Sequence, residues 1–161
     1  MSIEAAYHEA AHAVLTARSK LHTLSGVVNI GGYGLGTGFS DAGPSRKKCA
    51  ANGISESSAP NNAVVVREFV RILCAGYAAE CEGKDRGLVL IPDINRSVPD
   101  FLEAQRQLRH LGLSEKLNGF HQEALDLVKH YWDDIQMVAA ALESRQEIPA
   151  SEVLEMLHID A

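Results

Sequence analysis

The stretch AAYHEAAHAVL, residues 5–15, sets two histidines four apart with a glutamate directly after the first. Ser2 is a natural N-cap, Glu4 sits in the first turn and alanine dominates the interior, which predicts a helix over residues 3–20. Positions i and i+4 share one helical face, so His8 and His12 can aim ring nitrogens at a single point. Glu9 lies about 100° round from His8, near enough to reach a water at that point without ligating. This is the arrangement of an HExxH zinc site, which needs a third protein ligand and an open position for water.

The rest of the chain bounds what such a site can belong to. Its 161 residues, 46% of them hydrophobic, are enough for one domain with a real core. A net charge of −6 argues against nucleic acid as the main partner, since phosphate binding wants a basic stripe. The one basic run, Arg46-Lys47-Lys48, stands beside Pro44 and Ser45 and predicts a solvated loop. Cys49, Cys74 and Cys81 form an odd set without CxxC spacing, so no disulfide framework is expected. Cys74 and Cys81, seven apart on an apolar segment, read as small buried hydrophobes. The opening MSIEAAYHEA lacks the basic and apolar regions of a signal peptide. No apolar run reaches the ~18 residues of a membrane span. A cytoplasmic protein with no membrane partner is the expectation.

After the motif helix, TLSGVVNI (23–30) reads as a strand and GGYGLGTGF (31–39) as a second one with a bare glycine face, giving a small sheet over 23–39. Residues 40–60 read as a long loop. Asn61 and Asn62 can cap a helix over 63–82, whose small residues Ala75, Gly76, Ala78 and Ala79 would let another helix approach closely. A loop over 83–96 follows. Ser97, Pro99 and Asp100 then open a helix through Leu111. One long amphipathic helix, 118–144, carries Leu125, Val128, Trp132, Ile135, Val138 and Leu142 on one face. Pro149 opens a last helix over 150–157. The fold class is mainly α with a small β-sheet (α+β), its helical core formed by 63–82 and 98–144.

The third ligand is not fixed by spacing. A metzincin would place glycine and histidine where Leu15 and Arg18 stand, which excludes that class. A downstream glutamate (Glu68, Glu80 or Glu103) or an aspartate from a later helix are the alternatives.

AYHEAAHAVL closely resembles the peptidase domain of FtsH-type ATP-dependent zinc metallopeptidases, whose motif reads AYHEAGHA. LCAGYAAECEGK (73–84) is similar to that family's LGGRAAEE segment, and PDFLEAQRQL (99–108) to the helix that carries its third zinc ligand, an aspartate. SGVVNIGGYGLGTGFS (25–40) is similar to its strand pair after the motif helix. The resemblance implies an FtsH-peptidase-like helical domain in which His8 and His12 bind zinc, Glu9 is the general base and Asp100 is the third ligand, with Ala104 matching an alanine four residues on. Ala11 replaces the family's glycine. The stretch from Glu80 to Asp100 is longer than the family pattern, which makes Asp93, in IPDINR, a rival third ligand. Asp100 could also be only an acid in a helix's first turn.

The implied activity is zinc-dependent hydrolysis of peptide bonds in unfolded or flexible polypeptides. With no GxxxxGK[ST] phosphate loop the chain carries no ATPase module, though a separate ATPase partner could feed it, and an oligomer is compatible with the pattern. Gly34, Leu35, Gly36, Thr37 and Gly38 would be an edge strand that holds the substrate's main chain. The alternative is a non-catalytic zinc- or peptide-binding module that retains the fold. Glu80 either braces the motif helix or faces solvent. His22, His110, His121, His130 and His158 have no assigned role.

Overall fold

In the computed structural model, residues 2–30, 39–88 and 91–160 are described. Helix α1 runs Ile3–Ala17, opened by the Ser2 hydroxyl, which accepts the Ala5 N–H at 3.1 Å. It stops three residues before the predicted end, where Arg18 closes the last turn. Every residue from Ala5 to Ala17 is buried. Alanine at positions 5, 6, 10, 11, 13 and 17 makes a helix thin enough for neighbours to pack on all its sides.

The first of those neighbours is α3, Ala63–Asp85, capped by the Asn62 side chain on the Val64 and Val65 N–H groups. Its small residues Cys74, Ala75, Gly76, Ala78 and Ala79 are buried, and α3 packs closely on α1 as their size predicts. It runs three residues past the predicted end. A 3-10 turn over Ile94–Ser97 then leads into α4, Val98–His110, with Pro99 in its first turn.

The expected continuous helix over 118–144 is two helices, α5 (Leu117–His130) and α6 (Trp132–Arg145), broken at Tyr131. The break lets α5 pack on α3 while α6 packs on α1. Gln146, in the left-handed region at φ 67°, ends α6 and turns the chain into a strand.

That strand corrects a second expectation, a sheet confined to residues 23–39. The sheet has three antiparallel strands in the order β2–β1–β3: β1 is His22–Asn29, β2 is Phe39–Pro44 and β3 is Glu147–Pro149. Val28 pairs with Ile148 and Leu24 with Ala42. Helix α7, Ala150–Met156, follows directly.

The predicted 40–60 loop is also partly ordered structure. β2 extends to Pro44, α2 spans Arg46–Ala51 under a Ser45 cap, and a 3-10 turn covers Ala59–Asn61. Arg46-Lys47-Lys48 therefore lies on a helix, and the Lys48 ammonium donates to the Ala17 and His22 carbonyls. Cys49 and Cys74 are buried thiols and Cys81 is half-buried. Among the described residues, no helix is long and apolar enough to cross a membrane.

Candidate metal centre

His8 and His12 project from α1 towards α3, ring centroids 4.8 Å apart, and both are buried. His8 Nδ1 donates to Glu80 Oε2 at 2.9 Å, and His12 Nδ1 donates to the Ile72 carbonyl at 2.7 Å. A carbonyl can only accept, so Nδ1 of His12 carries the hydrogen and Nε2 keeps its lone pair. Fixing the outer nitrogen of an imidazole in this way is how ligating histidines are oriented.

The inner nitrogens meet a carboxylate. Asp100, in the first turn of α4, places Oδ2 3.4 Å from His8 Nε2 and 3.3 Å from His12 Nε2. The three ligand atoms lie within 4.8 Å of one another. Ligands at zinc's usual bond lengths and tetrahedral angles stand about 3.4 Å apart, so both nitrogen–oxygen distances match an edge of that tetrahedron. His12 Nε2 is buried without a hydrogen-bond partner, its approach to Asp100 being off the direction a hydrogen bond requires. An orphaned buried acceptor beside a carboxylate is satisfied by a cation between them.

The electrostatics agree. Burial opposes charging His8, but its bonds to Asp100 and Glu80 outweigh that and hold its pKa up to about 9. His12 is likewise raised, burial being overcome by the Asp100 charge. Burial pushes the Asp100 carboxyl up, yet the two imidazoles overcome it and hold the group well below the usual carboxylate range. Glu9, Glu80 and Asp100 thus surround two imidazoles with a field that favours positive charge.

One face of α3 supports all of this. Ile72, Gly76 and Glu80 are spaced four apart: the first holds His12, the last holds His8, and the middle one makes room. A Cβ on Gly76 would fall 2.3 Å from His8 Cε1 and Nε2, so only glycine admits the ring.

Of the sequence candidates, the structure brings together His8, His12 and Asp100, with Glu9 buried beside them on α1. Asp93 is not among them: it caps the 94–97 turn by accepting the Asn95 N–H at 3.0 Å. Glu68 is engaged by His22 Nδ1 at 2.6 Å and by the Lys20 and Leu21 N–H groups. Glu103 binds Arg106 and Gln107. Glu80 faces the core rather than solvent, fully buried behind His8. Gly34, Leu35, Gly36, Thr37 and Gly38 lie outside the described residues. No protein-family model matches the chain, and no curated protein matches it.

Proposed function

We propose that the chain is a zinc-dependent endopeptidase acting on unfolded or flexible polypeptides, with His8, His12 and Asp100 as metal ligands and Glu9 as general base. The observation that carries this reading is the convergence of two Nδ1-anchored imidazoles and Asp100 Oδ2, with the three ligand atoms within 4.8 Å of one another. An N₂O donor set suits zinc, and three protein ligands leave a position open, as catalytic rather than structural sites do. The Asp100 side chain is 27% exposed while both histidines are buried, which gives the cluster one part-exposed side.

A zinc ion bound there supplies Lewis acidity, polarising a peptide carbonyl and lowering the pKa of a water. Glu9, adjacent on α1, takes the proton of the attacking water on a carboxylate oxygen and passes it to the leaving amine nitrogen. Asp100 and the two histidines hold position, their orientations set by Glu80 and Ile72. The peptide substrate follows from the resemblance of AYHEAAHAVL to the FtsH peptidase motif; a separate ATPase is the partner that would deliver folded proteins.

Casein hydrolysis by zinc-loaded wild type and Glu9→Gln tests this. The variant keeps its zinc and loses activity by roughly 10²–10⁴-fold. Equal hydrolysis by both proteins overturns the general-base assignment. Tight zinc binding with no hydrolysis by the wild type supports the non-catalytic binding module instead.

A further inference from the structure

The Glu80 carboxylate has no exposed surface, and a buried carboxylate is tolerated only when its charge is answered by donors. Oε2 takes the His8 Nδ1 hydrogen; Oε1 takes Arg96 Nη1 at 2.6 Å and the Asp93 N–H at 3.3 Å. Arg96 Nη1 also reaches the Ile91 carbonyl at 3.1 Å, while the Ile91 N–H donates to Glu4 in the first turn of α1. Residues 91–96 are thereby folded back on themselves and pinned to the carboxylate that orients His8. This segment runs through the 94–97 turn directly into α4, whose third residue is Asp100.

We infer that Arg96 is a positioning residue for metal binding: by clamping the 91–97 segment onto Glu80, it sets where α4 presents Asp100 to the two histidines. The inference rests on the metal reading of His8, His12 and Asp100. It assigns to Arg96 a role in no direct contact with the metal, transmitted through the backbone to Asp100. Without the guanidinium, the segment loses its charged anchor on Glu80 and is held there by the Asp93 N–H and to Glu4 by the Ile91 N–H, and the Asp100 arm loses its register against α1 and α3. Loss of a group that orients a metal ligand without touching the metal weakens binding about 10–100-fold.

Cobalt(II) titration of metal-free protein, read by visible absorption, tests it. The variants are Arg96→Met, Arg96→Lys, Asp100→Ala and the double variant Arg96→Met/Asp100→Ala, each checked for folding by circular dichroism. Arg96→Met weakens cobalt binding about tenfold or more, and Arg96→Lys, which keeps the charge but not the fork, falls between it and wild type. In the Asp100→Ala background, Arg96→Met adds less than about a twofold loss, because the residue it positions is gone. Wild-type affinity in Arg96→Met, or losses that multiply in the double variant, overturns the inference alone. If Arg96→Met does not fold, Arg96→Lys decides: weakened binding supports the inference and wild-type affinity overturns it. A wild type that gives no cobalt spectrum overturns the metal reading itself, and this inference with it.

Discussion

Gly76 shows how much of the site depends on an absent side chain. The His8 ring occupies the space a Cβ would fill, so Gly76→Ala must either rotate the imidazole off Glu80 or push α3 away from α1. Overpacking of this kind costs about 1–3 kcal/mol. Zinc affinity should fall at least tenfold in a competition titration, and the urea midpoint should fall with it; wild-type affinity would show that the ring has room to spare. His8, Glu9 and His12 were legible in the sequence because an i, i+4 pair is a local pattern. Glu80 and Asp100 were not legible from spacing, since they stand 72 and 92 positions from His8 and only the fold brings them in. Asp100 is reached from the sequence only through the resemblance of its segment to a known one, while in the structure the Asp93 carboxylate caps the turn over Ile94–Ser97.

Helices announced by a cap or a first-turn proline were readable: Ser2 for α1, Asn62 for α3 and Pro99 for α4. The Asn62 side chain accepts from two backbone N–H groups, at 2.9 and 3.2 Å. Replacing it with alanine should cost about 1 kcal/mol of stability. Zinc affinity should stay unchanged, because the cap lies more than two turns from Ile72; a parallel loss of zinc would mean that the start of α3 helps to set the site. What stayed hidden has a common cause. The apolar spacing of Leu125, Val128, Trp132, Ile135, Val138 and Leu142 runs unchanged through the break at Tyr131, because periodicity records which face is buried and not whether the axis is straight. β3 is three residues long, includes a proline and buries only Ile148, so its pairing with β1 left no local trace. The polar composition of 40–60 concealed α2, whose cap, Ser45, is itself one of the residues that suggested a loop.

At the scale of the molecule, the site titrates as part of the core. His8 has its folded-state pKa raised from 6.5 to about 9, so its contribution to the stability of metal-free protein is fully present below about pH 6.5 and is lost as pH rises through 9. Asp100 has the opposite sign: its value lies below 3.8, so its contribution is present above that pH and is lost as pH falls through the lowered value. Metal-free protein should therefore show a lower urea midpoint at pH 9.5 than at pH 6. A midpoint that holds level or rises across that range would mean that the cluster is not held as the distances indicate. Zinc binding should release a proton at pH 7, measurable in a weakly buffered titration.

The burial of α1 from Ala5 to Ala17 also has a kinetic consequence. Both histidines lie on a helix with no solvent face between Ala5 and Ala17, and Asp100 is the part-exposed member of the cluster. Exit of a bound ion then leads past Asp100 and waits for that carboxylate to swing away from the histidines, a local opening whose frequency belongs to the protein. Removal by a chelator should be slow and should reach a plateau rate that further chelator does not increase.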